Sequence, residues 1–315
     1  MCPPARDSKQ AAPGNQPYDR KPVGRFAPSP TGDLHFGSLV AAVGSFLHAR
    51  ASGGSWLIRI EDIDPPREVK GAAERQLHTL ARFGLVPDQP AQRQSLYQAR
   101  HQTAIQRLLD AGKAFRCACS RRELPASGVY PGTCRDGLPP DRPGRSIRLR
   151  VDDEQVCFSD LACGEQTQRP SRQSGDFVIR RADGLVAYQL AVVVDDAADA
   201  VTQVVRGRDL LDSTGRQILL HRALNLTPPS YLHLPLILDP SGRKLSKSLG
   251  DDPVSRQKPE QALRLALQVL GHAPPDEVLS LDACWRWAVK HWNPARIPDV
   301  PVTVQGGRVE RYTPR

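Results

Sequence analysis

The sequence predicts an α/β fold in which helices cover a parallel sheet and an insertion separates the two halves. Three observations favour this class. Residues 22 to 60 show the pattern of a strand, a turn-rich loop, a helix from Phe36 to Arg50 and the strand WLIRI. The α/β pattern resumes after residue 183, whereas residues 114–182 show short alternating strands broken by Pro and Gly turns. A strand, helix and strand in succession imply parallel pairing, with the helix packed on the sheet.

Two further helices are predicted before the insertion. One extends from Val69 to Phe83 and ends at Gly84, and the next is capped by Ser95 and ends at Gly112. Apolar residues recur in both at spacings of three and four, which is the pattern of helices that pack against a core.

After the insertion, we predict a strand at VTQVV and a helix from Ser213 to Leu224, followed by the apolar run LPLIL. Near the end of the chain, Pro259 occupies the first position of a helix that ends at Gly271. A second helix carries Trp285 and Trp287, and the Pro-rich end is predicted to be irregular.

These patterns divide the chain into five segments. The halves of the α/β domain lie on either side of the insertion, and the two ends are predicted to be a tail and a short helical segment. The segments are a disordered N-terminal tail over residues 1–21, the first half of the α/β domain over 22–113, the insertion over 114–182, the second half over 183–250, and a helical C-terminal segment over 251–315.

The composition excludes a membrane protein and a secreted disulfide scaffold. The longest stretch without an acidic residue, lysine or arginine, Leu34 to Ala49, is shorter than the roughly 20 apolar residues of a membrane span. No signal-peptide pattern opens the chain and the seven cysteines are an odd number, so we expect a cytoplasmic protein. The net charge of +9 permits an anionic partner such as RNA, although 35 arginines against eight lysines could equally reflect genome composition.

The first motif with chemical meaning is RFAPSPTGDLHFGSL, residues 25–39, where a Pro-rich loop leads into the first turn of a helix. His35, Gly37 and Ser38 lie in that turn. Backbone amides and the helix dipole make such a helix start suitable for a phosphate. Alone, the motif would be interpreted as a proline-stiffened loop with a capping histidine.

The second motif is DPSGRKLSKS, residues 239–248, in which a tight turn presents Lys244 and Lys247. A lysine ammonium on a flexible stem can follow the charge that develops on a departing pyrophosphate. Alone, this loop would be interpreted as a solvated surface turn.

Together, HFGS and KLSKS, preceded by RFAPSPTG, resemble the HIGH and KMSKS signatures of class I aminoacyl-tRNA synthetases, most closely those of the glutamyl branch. RIEDID (59–64), YQLAVVVDD (188–196) and VVRGRDLL (204–211) continue the likeness in register, so that it covers residues 22–250. The resemblance implies a Rossmann-type catalytic domain that activates L-glutamate with ATP and Mg²⁺. Ser38 stands where HIGH has its second histidine, as expected in the glutamyl branch.

The resemblance also implies roles for individual residues. His35 and Lys247 would be catalytic, the first at the α-phosphate and the second at the pyrophosphate. Glu61 would hold the ammonium of glutamate and Arg206 a carboxylate, and one acid with two arginines matches the charges of this substrate. Without the surrounding motifs, each would be interpreted as a structural ion pair or core residue. The implied sites are, for glutamate, Arg25, Ala27, Ser29, Glu61, Tyr188 and Arg206, and, for ATP, His35, Gly37, Ser38, Lys244 and Lys247.

The insertion carries a cluster of metal-binding residue types, Cys117-x-Cys119 followed by Tyr130-x₃-Cys134. Three thiolates and a phenolate could hold one structural Zn²⁺ in a tetrahedral site. The spacing alone also fits three unrelated reduced cysteines, and Cys157 or Cys163 could supply the fourth ligand. CxC followed by YxxxC resembles the zinc motif of a truncated relative of the glutamyl-tRNA synthetases, which favours the metal site. SRRE, directly after the first pair, predicts a capping box and a helix.

The chain after the second motif is expected to be too short for a separate anticodon-binding domain. A synthetase of this truncated form resembles the glutamyl-Q tRNA(Asp) synthetases, ligases that transfer glutamate to queuosine, the modified wobble base of tRNA(Asp). The implied partner of a monomer is therefore the queuosine-containing anticodon stem-loop, with Arg121, Arg122 and Arg135 as candidate backbone contacts. Two alternatives stay open: a minimal glutamyl-tRNA synthetase that charges tRNA(Glu), and a catalytically silent synthetase-like regulator that binds RNA.

Overall fold

The computed structural model of the chain describes residues 21–239, 242–243, 253–278, 280–305 and 307–312. Its strands alternate with helices as the sequence predicts, and the α/β class is confirmed. The strands are β1 (Val23–Phe26), β2 (Ser55–Ile60), β3 (Gln92–Arg93), β4 (Ala114–Cys117), β5 (Ser146–Leu149), β6 (Val156–Asp160), β7 (Gly164–Gln168), β8 (Val178–Arg180), β9 (Gln203–Gly207), β10 (Ser230–Leu234), β11 (Ile237–Leu238), β12 (Val302–Gln305) and β13 (Arg308–Arg311). The helices are α1 (Phe36–Ala51), α2 (Ala72–Arg82), α3 (Gln98–Asp110), α4 (Pro170–Gln173), α5 (Tyr188–Ala198), α6 (Thr214–Ala223), α7 (Pro259–Val269) and α8 (Leu281–His291).

The main sheet of the described residues has seven strands in the order β3-β2-β1-β9-β10-β6-β7. All neighbouring strands are parallel except β6 and β7. From β1 the chain continues through α1 to β2 on one side, and it later places β9 and β10 on the other side. The strand order therefore reverses between β1 and β9, and in open α/β sheets the carboxyl ends of strands at such a point form the ligand crevice.

Residues 114–182 contribute to two sheets. β4, β5 and β8 form a separate antiparallel sheet. The next strand, β6, belongs to the main sheet, where it pairs with β10 and Tyr231 lies opposite Asp160. β7 pairs with β6 and forms the edge of the main sheet. The segment with the cysteine motif is thus joined to the strand arrangement that carries the crevice.

Helix α1 packs closely on the main sheet and connects it to the C-terminal helices. A Cβ atom at Gly44 would lie 2.7 Å from Leu234 Cδ1, so this glycine permits the close contact between α1 and β10. On the outer side of α1, the Phe46 ring makes an edge contact with Trp285, whose indole donates to the Phe83 carbonyl at 2.8 Å. The C-terminal segment therefore belongs to the same apolar core as the first half of the sheet.

Two local predictions were wrong. The end of the chain is not irregular, because β12 and β13 form a hairpin that extends β11. Ser95 does not cap α3, because its amide and hydroxyl donate to Asp62 at 2.8 and 2.9 Å and the helix begins three residues later. The predicted N-terminal tail lies outside the described residues apart from Lys21. No helix in the described parts of the chain has the length and apolar character needed to cross a membrane.

Candidate functional site

A cleft of about 740 Å³ opens at the carboxyl ends of β1, β9 and β10. Gly207 and Leu234, the last residues of β9 and β10, form one wall. The other wall contains five residues that the sequence predicts for ATP or glutamate. These are Ala27, Ser29, His35, Gly37 and Ser38.

His35 is the N-cap of α1, and its Nδ1 accepts from the Ser38 amide at 3.3 Å. A neutral imidazole that accepts at Nδ1 carries its proton on Nε2, so this histidine presents a donor there. A Cβ at Gly37 would lie 3.1 Å from His35 Cε1. The glycine of the motif therefore makes room for the histidine ring at the start of α1.

The second motif lies almost wholly beyond the structural description. Lys244 and Lys247 fall among residues 244–252, outside the described residues, so their roles stay predictions. Asp239 and Arg243, on either side of the turn before them, are described: the Asp239 amide donates to the Arg243 carbonyl at 2.7 Å, and Asp239 Oδ1 accepts from the Arg243 amide at 2.9 Å. This turn follows β11 directly.

Glu61 directly follows β2 and is buried beside the cleft. Its Oε1 has no hydrogen-bond partner among the described residues and lies 3.7 Å from Arg59 Nη2. Burial raises the pKa of Glu61 to about 7, although Arg59 and Arg25 act in the opposite direction. A buried carboxylate oxygen without a donor is a suitable partner for a substrate ammonium.

Arg25, on β1, is already neutralised within the protein. Its Nε donates to Asp196 Oδ1 and its Nη2 to Asp196 Oδ2, both at 3.1 Å. Asp196 also accepts from Arg59 at 2.5 Å. Burial alone would raise the pKa of Asp196, but the two guanidinium groups outweigh it and lower that pKa to about 2. Asp196 therefore stays ionised and holds Arg25 in place.

Arg206, on β9, is buried without an acidic partner. Its Nη1 donates to Gln217 at 2.8 Å and its Nη2 to Thr214 at 2.9 Å, while its Nε donates to His233 Nε2 at 3.0 Å. Within the described part of the chain, no carboxylate forms an ion pair with it. A buried cation surrounded by neutral acceptors is costly unless an anion joins it.

The structure brings the predicted glutamate residues together. Tyr188, the first residue of α5, is partly buried. Burial raises its pKa, while the charges of Arg206 and Arg25 oppose that rise and Glu61 adds to it. Four side chains from β1, β2, β9 and α5 thus lie in one electrostatic environment. Ala27 and Ser29 line the adjoining cleft instead.

Sequence analysis missed three residues that hold this group: Asp160, Asp196 and His233. Asp196 ends the YQLAVVVDD motif, so its place after an apolar run could have identified it as a buried acid. Asp160 and His233 are 73 positions apart in the sequence, and no local pattern connects them.

The four predicted metal ligands converge in the insertion. Cys119 Sγ lies 3.7 Å from Cys134 Sγ, and Tyr130 Oη lies 3.4 Å from Cys117 Sγ and 3.9 Å from Cys119 Sγ. Tetrahedral Zn²⁺ with bonds of about 2.3 Å would place two sulfur atoms about 3.8 Å apart. The donor set therefore fits one tetrahedral metal ion, and the three cysteines form a group that could bind a metal.

Surrounding groups orient these ligands. Arg148 donates to Cys117 Sγ at 3.3 Å and stacks on the Tyr130 ring at 3.9 Å. Burial would raise the pKa of Cys117, but its hydrogen bonds with Tyr130 and Arg148 lower that pKa to about 7. The capping box of SRRE is present, although it opens a single 3₁₀ turn, Arg121–Glu123, and not a longer helix.

Comparison with known proteins extends these observations. A family model described as "tRNA synthetases class I (E and Q), catalytic domain" matches residues 22–127 and 140–267. The chain is 49% identical over 286 residues to the glutamyl-Q tRNA(Asp) synthetase of Chromobacterium violaceum, which covers 89% of this chain and 96% of that protein. It is 54% identical over 280 residues to the glutamyl-Q tRNA(Asp) synthetase of Xanthomonas campestris, and this alignment covers 88% of this chain and 93% of that protein.

Solved structures show the same similarity in three dimensions. A glutamate tRNA ligase from Elizabethkingia meningosepticum, crystallised in complex with its amino acid, aligns with a TM-score of 0.77 at 26% identity. The alignment covers 90% of this chain and 67% of that one. The glutamate-tRNA synthetase of Elizabethkingia anophelis aligns with a TM-score of 0.78, also at 26% identity, over 91% of this chain and 68% of that one.

Proposed function

Because this chain belongs to the glutamyl-Q tRNA(Asp) synthetases, within the class I tRNA synthetases, we propose that it activates L-glutamate with ATP and esterifies queuosine in the anticodon of tRNA(Asp). The enzyme is a ligase. One structural observation carries the choice of substrate: Arg206 is buried with neutral partners, so an anionic substrate would complete its site. Neither a synthetase that charges tRNA(Glu) nor a silent regulator is favoured by the relatives.

The pocket charges are suited to glutamate. Among the described residues, Glu61 Oε1 has no hydrogen-bond donor and could accept from the ammonium group, and no acid there pairs with Arg206 to compete with a substrate carboxylate. Arg25 contributes through Nη1, the one nitrogen of its guanidinium that does not bond to Asp196. Tyr188 would contact the substrate beside Glu61 and Arg206, and Ala27 and Ser29 line the adjoining cleft.

Activation needs no nucleophile from the protein. A substrate carboxylate oxygen attacks the α-phosphorus of ATP, the bond between the α-phosphorus and the α,β-bridge oxygen breaks, and pyrophosphate leaves with the electron pair. His35 Nε2–H and the first amides of α1, next to Gly37 and Ser38, would stabilise charge at the α-phosphate. Lys244 and Lys247 would follow the pyrophosphate, and Mg²⁺ bound with ATP would share its charge.

Transfer forms the product ester. A hydroxyl of the queuosine cyclopentene ring attacks the carbonyl carbon of glutamyl-adenylate, and AMP leaves. This step requires the anticodon loop to enter the crevice with the modified base unstacked, as in most sequence-specific RNA recognition.

The cysteine cluster would hold one structural Zn²⁺. Cys117, Cys119, Tyr130 and Cys134 supply four donors and leave no open position in a tetrahedron. The bound ion would fix β4 against the loop that carries Tyr130, and no step of the reaction passes through it.

A basic groove beside the cluster would hold the RNA backbone. It measures about 640 Å³ and is lined by Arg121, Arg145, Arg148 and Arg181. Arg121 and Arg145 are exposed and form no ion pair within the described ranges. Arg135 is less suitable, because it pairs with Asp176 at 2.5 Å and with Asp152 at 2.9 Å. Arg122 is exposed but does not line this groove.

The proposal is tested by measuring glutamate activation and transfer to tRNA separately with the purified protein. We expect glutamate-dependent ATP/pyrophosphate exchange without tRNA. Radiolabelled glutamate should then be retained by queuosine-containing tRNA(Asp), and the label should survive removal of the tRNA 3′ end. Transfer only to tRNA(Glu) would overturn the proposal. Because free tRNA and ATP are cytoplasmic, we place the reaction in the cytoplasm.

The groove is tested with Arg145→Glu. This variant should reduce transfer to tRNA(Asp) about tenfold or more while leaving glutamate-dependent exchange at the wild-type rate, because phosphate contacts set RNA affinity. Arg107→Glu, on the exposed side of α3, is the matched control and should affect neither step. Equal transfer by both variants would exclude the groove.

A further inference from the structure

The guanidinium of Arg206 is held on its Nε side by a buried chain of two hydrogen bonds. Arg206 Nε donates to His233 Nε2 at 3.0 Å, and His233 Nδ1 lies 2.6 Å from Asp160 Oδ2. The side chains of His233 and Asp160 have no exposed area. This series of hydrogen bonds crosses three adjacent strands, β9, β10 and β6. It ends at Asp160, in the segment that also carries the cysteine cluster.

The groups at the two ends of this series of hydrogen bonds determine where its protons lie. An arginine Nε–H can only donate, so His233 Nε2 must accept and cannot carry a proton. A neutral His233 then has its proton on Nδ1 and donates it to Asp160. The other oxygen of Asp160 accepts from the amides of Ala162, Cys163 and His233 at 3.1, 2.9 and 3.3 Å. Asp160 is thus an ionised, fully occupied acceptor that selects one tautomer of His233.

We propose that Asp160 and His233 are positioning residues for substrate binding, which hold Arg206 through a neutral imidazole and so leave its positive charge available to a carboxylate of the substrate. A carboxylate in direct contact would orient Arg206 equally well but would neutralise it, as Asp196 neutralises Arg25. Placing the acid one imidazole away keeps the orientation without the competing ion pair. This inference rests on the proposed role of Arg206 in binding glutamate.

The first test compares two replacements of similar size at His233. In His233→Gln, the amide oxygen can accept from Arg206 and the amide nitrogen can donate to Asp160, whereas His233→Leu removes both bonds. We expect His233→Leu to raise the KM for glutamate in ATP/pyrophosphate exchange about tenfold or more, as for a lost hydrogen bond to a charged group. The KM for ATP should stay unchanged, and His233→Gln should recover a glutamate KM within about threefold of wild type.

A control separates positioning from general destabilisation. His272 is also buried, and its two ring nitrogens bond to the Leu270 carbonyl and the Asn293 amide, at 2.6 and 2.9 Å. His272→Leu should lower the melting temperature without changing the glutamate KM. A wild-type glutamate KM in His233→Leu, equal damage in His233→Gln and His233→Leu, or a parallel rise in the KM for ATP would each overturn the proposal.

A second measurement does not depend on activity. Nitrogen-15 NMR of labelled imidazoles should show His233 protonated at Nδ1 and unprotonated at Nε2 in the wild-type protein. In Asp160→Asn the selecting charge is lost, and the Nδ1 signal should shift away from that of the wild type. A proton on Nε2 in the wild type would refute the chain of bonds. Absence of any glutamate-dependent exchange would refute the proposed function. The NMR measurement would still report the tautomer of His233, because it does not depend on activity.

Discussion

The proposed glutamate pocket and the cysteine cluster differ in whether their buried polar groups find partners within the protein. In the cluster, four donor atoms come from residues 117–134, face one another and match the geometry of one cation. In the pocket, the partners of Arg206 within the described residues are neutral, and Glu61 has an oxygen without a hydrogen-bond donor there. A single bound ion would occupy all four donor atoms of the cluster, and the cluster would then stay closed. In the proposed function, the pocket is completed by glutamate, which must enter and leave, so one region would be suited to stability and the other to turnover.

The largest effect is expected from removing the unpaired cation. Arg206→Gln should lower kcat/KM for glutamate about a thousandfold in exchange assays, because the substrate carboxylate would then be buried without a counter-ion. Since Arg206 has no acidic partner to be stranded, the melting temperature should change little. Arg222→Gln, which removes an exposed arginine paired with Glu154, is the control and should retain wild-type kinetics. Unchanged glutamate kinetics in Arg206→Gln would remove the basis of the comparison.

The cluster should show the reverse pattern. Cys119→Ser is expected to lose the bound metal and to lower the melting temperature by about 10 °C, because a structural ion contributes directly to folding. Glutamate-dependent exchange at a temperature where the variant stays folded should persist. Metal analysis and differential scanning calorimetry measure the two outcomes.

Cys284→Ala provides the control for the cluster. It removes a buried thiol of α8 that lies outside the cluster, so it should lower stability and keep the metal. Full metal content in Cys119→Ser would show that this thiol is not a ligand.

The same contrast explains what the sequence could predict. The cluster ligands lie within 18 consecutive positions, and the resemblance of this local pattern to a known zinc motif predicted the convergence of Cys117, Cys119, Tyr130 and Cys134. The βαβ unit was equally predictable, because its apolar periods and turn residues are local. The chain from Arg206 through His233 to Asp160 was not, since it depends on the lateral order of β9, β10 and β6, which no local pattern encodes.

The missed hairpin at the C-terminus has a different cause. Its Pro-rich surroundings predicted an irregular end, but β12 pairs with the short strand β11, and Val302 is buried against the core. The partner strand, not the intrinsic preference of the segment, decides this structure, as is usual for short strands. Tertiary pairing thus overrode composition at the end of the chain.

A smaller effect is expected from the backbone that supports the cluster. Gly175 has φ of +63°, and a Cβ there would lie 2.5 Å from the Tyr130 carbonyl oxygen. Gly175→Ala should therefore destabilise the protein by about 2 kcal/mol, through the left-handed conformation and the displaced Tyr130 backbone. Chemical denaturation measures this loss, and Gly112→Ala, with φ of +65° and no atom within 4 Å, isolates the conformational part. Equal losses in both variants would mean that the contact with Tyr130 contributes nothing.

The smallest effect is a pH dependence that belongs to the pocket alone. Burial raises the pKa of Glu61 to about 7, with Arg59 and Arg25 opposing the rise and Asp196 and Asp195 adding to it. In its proposed role, the ionised form of Glu61 holds the substrate ammonium, so glutamate binding should weaken as the pH falls through 7. Between pH 8 and pH 6 the ionised fraction falls about tenfold, and the Kd for glutamate should rise by about the same factor. Calorimetric titration across this range measures the slope, which should vanish in Glu61→Gln. The number of metal ions bound should stay constant over the same range if the cluster is closed, and a pH-independent Kd in the wild type would show that Glu61 does not hold the ammonium.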